Sequence, residues 1–335
     1  MDNKVKLYVV VPCYNEEDVL PETSKRLLAK FKELWNDGKI HTESKVVFVH
    51  DGSKDNTWNI IKDLCDNSEP FGSSTEGLFS GVNLAHNAGH QRAVLAGLMT
   101  IKDMCDIAIT MDADLQDDIN AINEMISKYN EGCEVVYGVR SKREKDTFFK
   151  KFTAESFYKL MQKMGVDIVN NHADYRLMSS RVLNELSNYK EVNLFLRGII
   201  PTIGFKSDIV YYERAERFAG ESKYPLKKML AFAIDGITSF SVKPLRLITT
   251  IGITMTFISV IMFMWSVIDR IIGDTVTGWS SLMCSIWFIG GLQLLSLGVI
   301  GEYIGKIYQE VKARPRFIVA ETLGLKENNK NGTQG

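Results

Sequence analysis

Apolar positions follow two different periods along the first 140 residues. Short runs rich in Val, Ile, Leu and Phe, at 5–11, 45–50, 78–84, 107–111 and 134–139, have the length and content of buried strands. Between them, 16–35, 56–65, 91–103 and 119–129 repeat their apolar residues at helical spacing. Strands separated by helices make βαβ units, which assemble into a mostly parallel α/β sheet covered on both faces. In such a sheet ligands bind beyond the carboxyl ends of the strands. The loops that follow strands are therefore where chemistry is expected.

The pattern then changes. Residues 140–151 are basic, with Arg140, Lys142, Arg143, Lys145, Lys150 and Lys151 against Glu144 and Asp146. An amphipathic stretch at 148–164 follows, and 226–240 has a similar character. Each reads either as a surface helix packed on the sheet or as a helix lying in a membrane interface. Two runs carry no charged side chain: 247–268, 22 residues, and 278–301, 24 residues. At 1.5 Å per residue the first is about 33 Å long as a helix, enough for a hydrocarbon core of roughly 30 Å. Two such runs about ten residues apart fit a transmembrane hairpin better than a pair of buried core helices. Lys243 and Arg246 precede the first run, and Lys306, Lys312, Arg314 and Arg316 follow the second. An excess of Lys and Arg on both flanks places both, with both termini, on the cytoplasmic side of a multi-pass protein of the inner membrane. Gly290, Gly291, Gly298 and Gly301 would let helices approach closely, as in a homo-oligomer. The polar tail from Lys326 reads as disordered. The expected organisation is thus an α/β domain over 1–225, an interfacial segment over 226–246, a hairpin over 247–301 and a tail over 302–335.

Whole-chain averages conceal this. The 335 residues hold 40 Lys+Arg and 41 Asp+Glu, a formal charge of -1, with 45% hydrophobic residues. Mean hydropathy is -0.07. These values argue against a disordered chain, against a polytopic membrane protein and against a nucleic-acid binder held by net positive charge, but not against a concentrated apolar segment. The cysteines, Cys13, Cys65, Cys105, Cys133 and Cys284, are odd in number and widely spaced. They support neither a disulfide framework nor a zinc site and read as reduced thiols. The N-terminus runs straight into the first strand without the apolar region of a signal peptide.

Three post-strand loops carry candidate chemistry. Pro12-Cys13-Tyr14-Asn15-Glu16-Glu17 offers an aromatic that would stack on a nucleobase, although alone it reads as a strand-to-helix turn with Asn15 as N-cap. His50-Asp51-Gly52-Ser53 offers Asp51 to accept the imide proton of uracil, with Gly52 allowing close backbone approach; a capped turn starting a helix at Asp55 is the alternative. Met111-Asp112-Ala113-Asp114-Leu115-Gln116 places two carboxylates two residues apart at the end of an apolar strand. They repel unless a positive charge lies between them, and Mg²⁺ or Mn²⁺ bridging two phosphates supplies it. A solvated acidic turn is the competing reading. No phosphate-binding glycine loop of the GxxxxGK[ST] or GxGxxG type occurs after the first strand.

VVPCYNEE, VHDGSKDNT, NAGHQRAVLAGL, MDADLQD and YGVRSKR together resemble the family 2 glycosyltransferases of the GT-A fold. Downstream, ADYRLMS at 173–179, ERAERFAGESKYPLKK at 213–228 and the two apolar runs resemble the polyprenyl-phosphate branch of that family. The likeness spans about residues 5–316. It implies metal-dependent, inverting transfer of a hexose from a nucleotide-sugar to a polyprenyl phosphate such as undecaprenyl phosphate. UDP-glucose and UDP-N-acetylglucosamine are the expected donors. It also implies residue roles. Pro12, Tyr14 and Asp51 would hold the base, with Glu16, Asn87, Asp112 and Ala113 on the rest of the nucleotide-sugar. Asp112, Asp114 and Gln116 would hold the metal. Asp174, Arg140, Arg143 and Arg176 would be catalytic, and Arg214, Arg217 and Lys223 would bind the lipid phosphate. The usual Asp-Asp-Gly-Ser is His50-Asp51-Gly52-Ser53 here, Gln-Asp-Pro-Pro is Gln116-Asp117-Asp118-Ile119, and Gly-Asp-Phe-Arg is Ala173-Asp174-Tyr175-Arg176.

A phosphate acceptor needs no strong general base, since its second pKa of about 6 leaves it largely dianionic near neutrality. Asp174 is accordingly expected to position the acceptor or Arg176 rather than take a proton. A processive polysaccharide synthase would add a QxxRW element and more membrane helices, which the sequence lacks. A membrane-anchored transferase using another glycolipid or polysaccharide acceptor is the alternative.

Overall fold

A computed structural model of the chain describes residues 4–72, 77–141, 172–192, 195–213, 243–272 and 278–325. Arg143, Arg214, Arg217 and Lys223, the stretches 148–164 and 226–240, and the tail from Lys326 lie outside these residues. The elements in order are β1 (Leu7–Cys13), α1 (Leu20–Asn36), β2 (Lys45–His50), α2 (Thr57–Asp66), β3 (Phe79–Leu84), α3 (His90–Ile101), β4 (Ile107–Thr110), α4 (Ala121–Asn130), β5 (Val135–Arg140), β6 (His172–Ser179), α5 (Ser180–Leu186), α6 (Leu196–Thr202), β7 (Ser207–Tyr212), α7 (Lys243–Ile272), α8 (Trp279–Lys312) and β8 (Val319–Leu323). They fall into two compact units: α7 and α8 belong to one, and the sheet with its helices to the other.

Eight strands form one sheet in the order β7-β5-β6-β4-β1-β2-β3-β8. The expected alternation of strands and helices accounts for its parallel centre, where β1 pairs with β2 and β4, and β2 with β3. β6 runs antiparallel between β4 and β5, β7 lies parallel to β5, and β8 closes the other edge antiparallel to β3. These directions bring the carboxyl ends of β1 to β5 and β7, and the amino end of β6, to one side of the sheet.

The sheet is buried on both faces, as a parallel core requires. Val9, Val11, Phe48 and Ile109 pack into one cluster with Leu27 and Phe31 of α1 and Ile122 and Met125 of α4. On the other face α3 lies very close to β1 and β2. A Cβ at Gly97 would stand 2.5 Å from Val10 Cγ1 and 2.7 Å from Val49 Cγ2, so this crossing requires glycine. Cys13, Cys65, Cys105 and Cys133 are free thiols.

Two differences from the sequence reading matter. The segment expected to be a tail supplies β8, and Gly324 O accepts from Lys45 Nζ at 2.8 Å and from Ser80 Oγ at 3.0 Å. Asn15 does not cap α1: it sits at φ 55, its Oδ1 accepts from Lys54 N at 2.9 Å, and α1 begins after Val19 with Pro21 in its first turn.

The second unit holds the two apolar runs. α7 is 30 residues long and α8 is 34. Their surfaces expose large apolar side chains such as Phe257, Trp265, Leu294 and Leu295. Among the described residues, Phe288–Lys312 is the stretch long and apolar enough to cross a membrane; its most apolar 18-residue window has a mean hydropathy of 1.4 and no buried residue.

Candidate active site

The loops after β1 and β2 are fastened to each other. Asn15 N donates to Ser53 Oγ at 3.0 Å, Glu16 N to Thr57 Oγ1 at 3.0 Å, and Asn56 N to Glu17 Oε2 at 2.9 Å. Asp55 Oδ1 accepts from Thr57 N at 3.1 Å and so starts α2. Pro12 is buried within β1, while Tyr14 beyond it is 45% exposed and available to a flat ligand.

Asp51 is buried, and its carboxylate accepts from the amides of Ala88 at 2.6 Å and Gly89 at 3.0 Å. Asn87 Nδ2 donates to Asp51 O at 3.0 Å. Asp51 and Asn87 thus pin the β3–α3 loop to β2. Gly52 has φ 65, and a Cβ there would lie 2.7 Å from Asn87 N, so the contact excludes any side chain. His50, where the family pattern has Asp, accepts from Ser53 N at Nε2, 2.9 Å. Its Nδ1 therefore carries the proton and donates to Asn83 Oδ1 at 2.7 Å. Stacking on Trp58, with centroids 5.4 Å apart, holds the ring. The imidazole supplies the acceptor that the usual carboxylate would supply.

The pinned loop delivers His90, the first residue of α3, into a charged cluster. Its Nε2 lies 3.7 Å from Asp112 Oδ1 and 3.5 Å from Asp174 Oδ2. Asp174 also accepts from Arg176 Nη2 at 2.5 Å and is gripped by Arg197, with Nε to Oδ1 and Nη2 to Oδ2 both at 3.0 Å. Its backbone carbonyl accepts from Thr110 Oγ1. Burial acts against the Asp174 charge, but His90, Arg197 and Arg176 outweigh it and hold the carboxyl well below the usual range. Burial likewise opposes the charged form of His90, yet Asp174 and Asp112 raise its pKa. For Asp112, burial is the main cause of a pKa pushed up to about 6; Asp117, Asp174 and Asp114 add to the rise and His90 opposes it. Arg176 is 2% exposed, and among the described residues its Nη1 is a buried donor without a partner.

Asp114 Oδ1 accepts from Gln116 N at 3.2 Å, and Gln116 is buried. Ala113 is buried too, and its carbonyl accepts from Thr23 Oγ1 at 2.8 Å. Among the described residues no three His, Cys, Asp or Glu side chains converge closely enough to hold a metal by themselves. Mg²⁺ and Mn²⁺ need only one or two carboxylates when ligand phosphates and water complete the shell. Asp112 and Asp114 fit that arrangement, and the burial that makes Asp112 a reluctant anion is what a cation would relieve.

Arg140 belongs to a separate cluster on the opposite face of the sheet. Along β6, Asp174 and Arg176 face α3, while Tyr175 between them points the other way, donating to Asp118 O at 3.0 Å. Tyr175 meets Tyr212 edge-on at 5.4 Å. Tyr212 OH donates to Asp117 Oδ1 at 2.5 Å, and Arg140 reaches both, Nη2 to Asp117 Oδ1 at 3.4 Å and Nε to Tyr212 OH at 3.3 Å. The structure therefore gathers Asp112, Asp174 and Arg176 in one cluster and sets Arg140 in another.

His90, Arg197, Asp117 and Tyr212 are site residues that the sequence reading did not single out. His90 lies inside NAGHQR, the quoted motif from which only Asn87 was taken. Gln91 of the same motif accepts from Leu196 N at 2.9 Å and so anchors the start of α6, which carries Arg197. Nothing local marks Arg197 or Tyr212, whose neighbours come from distant parts of the chain.

An α/β sheet with this order, an acidic pair beyond β4 and a carboxylate held among guanidinium groups at the same edge fit a glycosyltransferase domain of the GT-A kind. The pattern of glycosyl transferase family 2 matches residues 8–187, and that of the GtrB C-terminal hairpin matches 243–307. The chain belongs to glycosyl transferase family 2, is a glycosyltransferase, and carries the hairpin in α7 and α8. It is 52% identical over 313 residues to the uncharacterized glycosyltransferase YkoT of Bacillus subtilis, covering 93% of this chain and 90% of that protein. It is 41% identical over 320 residues to the SfII prophage-derived bactoprenol glucosyl transferase of Shigella flexneri, covering 95% and 98%. The match to the bactoprenol glucosyl transferase of Shigella phage SfX is also 41%, covering 94% of this chain and 99% of that protein.

Proposed function

We propose that the chain transfers a hexose, glucose or N-acetylglucosamine, from its UDP derivative to a polyprenyl phosphate at the membrane, with inversion at the anomeric carbon. The observation that carries this reading is the match over nearly the full length, hairpin included, to proteins called bactoprenol glucosyl transferases. The long hydrocarbon tail of such an acceptor keeps it in the bilayer, which gives the apolar helices a purpose.

In this reading Tyr14 stacks on the base, and Asp51 and Asn87 shape the floor beneath it. Asp112 and Asp114 hold a divalent ion, which when bound neutralises the leaving diphosphate. The acceptor phosphate is already a nucleophile, so the protein's work is to bring two anions together and orient them. Arg140 and Arg176 serve that end, with Arg143, Arg214, Arg217 and Lys223 as further cations. Asp174, ionised and gripped by two guanidinium groups, orients them and takes no proton. The hairpin crosses the inner membrane twice and leaves both termini in the cytoplasm.

The test is transfer of radiolabelled sugar from UDP-glucose, UDP-N-acetylglucosamine and GDP-mannose into organic-extractable lipid in the presence of undecaprenyl phosphate. Label is expected in lipid from one of the UDP-sugars, and to be lost with EDTA and in Asp114→Ala. Label in a water-soluble or polysaccharide product instead would favour the other acceptor class. Transfer indifferent to both EDTA and Asp114→Ala would remove the metal assignment.

A further inference from the structure

We infer that Asp117 and Tyr212 are positioning residues that aim the Arg140 guanidinium at the anionic acceptor, an inference that rests on the acceptor role proposed for Arg140. Three groups close a triangle at the ends of β5 and β7 and in the loop that follows β4. Asp117 Oδ1 accepts from Tyr212 OH at 2.5 Å and from Arg140 Nη2 at 3.4 Å, and Arg140 Nε lies 3.3 Å from the Tyr212 oxygen. The Asp117 side chain is 1% exposed, and among the described residues its Oδ2 is a buried acceptor without a partner. Arg140 is 27% exposed, so one end of the pair is sealed in protein and the other reaches the surface.

A buried ion pair is a poor way to gain stability, because desolvation consumes much of the attraction and apolar residues of similar size often do as well. Orientation is what this arrangement supplies. A guanidinium is a rigid planar fork, and fixing Nε and Nη2 fixes where Nη1 points. The Nη1 amino group takes no part in the triangle. The frame around the triangle is stiff. Tyr212 meets Tyr175 edge-on, Tyr175 is tied to Asp118 O, and Gly138 leaves room for both rings. A Cβ at Gly138 would lie 2.9 Å from Tyr175 and 3.1 Å from Tyr212. The Asp117 charge also cancels most of the distant field of Arg140. Arg140 therefore acts at contact range, where geometry decides binding.

A double-mutant cycle separates positioning from packing. Tyr212→Phe keeps the ring and removes the oxygen that both Asp117 and Arg140 use. In the full-length enzyme it is expected to raise KM for the polyprenyl phosphate about tenfold, the worth of one charge-assisted hydrogen bond, while KM for the UDP-sugar holds. In an Arg140→Ala background the same substitution is expected to change the acceptor KM less than about twofold, since nothing remains to aim. Asp117→Asn enters the same cycle with the same expectation if Tyr212→Phe does not fold. A tenfold effect that survives in Arg140→Ala, or an equal rise in the donor KM, overturns the inference. If the wild-type enzyme uses a different acceptor, the acceptor proposal fails, and the same cycle run on that acceptor still decides this one.

Discussion

Replacing Asp174 with Asn tests whether this carboxylate positions or takes protons. The substitution keeps the shape but removes the charge shared by Arg176, Arg197 and His90. Whichever way the amide turns, an NH₂ group meets a guanidinium or His90, because Arg197 contacts both oxygens at 3.0 Å. Arg176, only 2% exposed, is left without its counter-charge. Removing one partner of a buried pair costs about 3–5 kcal/mol, here an unfolding midpoint lower by about 10 °C. The Asp174 pKa is depressed on folding, so its stabilisation is complete above its unfolded value near pH 4 and disappears only as pH falls through the folded one. His90 is raised instead, so its share is complete below about pH 6.5 and fades as pH rises through the raised value. The variant should thus melt well below the wild type at both pH 5 and pH 8, with the larger gap at pH 5. Thermal unfolding of the full-length protein in detergent, followed by tryptophan fluorescence, reads this directly. A base poised near neutrality would be protonated and charge-free at pH 5, where Asn imitates it. A variant as stable as the wild type at pH 5 would therefore refute the positioning role.

Three further substitutions probe the frame. His50→Asp should preserve activity by accepting from Ser53 N, whereas His50→Leu should lose about 1–3 kcal/mol in urea unfolding by orphaning that amide and Asn83. Gly97→Ala should lose about 1–3 kcal/mol of stability in urea unfolding, because its methyl would press into Val10 and Val49. A chain ending at Arg314 should melt earlier and aggregate on size exclusion, since it bares the β3 edge and strips the buried Lys45 ammonium of Gly324 O; one ending at Leu325 should behave as the full chain does.

Legibility in the sequence followed the locality of the signal. Strands β1 to β5 and the helices between them announce themselves because each buries a continuous apolar run, and their bounds shift by only a few residues. β6 stays hidden although it lies inside the sheet, because Asp174 and Arg176 occupy alternate positions that would otherwise read as core. β7 and β8 are short edge strands with mixed faces, and their pairing partners are far away in the chain. The same holds for the site. The acidic pair after β4 and the loop around Asp51 are written in consecutive residues, so spacing exposes them. Arg197 and Tyr212 gain their meaning only when α6 and β7 reach the sheet edge.

In the proposed function, that division would let one edge receive two anions. The turn of side chains along β6 sends Asp174 and Arg176 toward α3 and Tyr175 toward Tyr212 and Arg140. Each side therefore has a carboxylate already matched to guanidinium: Asp174 with Arg176 and Arg197, Asp117 with Arg140. Asp112 is matched differently, since the cation beside it is the half-exposed ring of His90 at 3.7 Å. A carboxylate so placed repels a bare phosphate and accepts one only with an added cation. In the proposed function, an ion-bridged diphosphate would therefore be favoured on the α3 side and a phosphate without a metal on the Arg140 side.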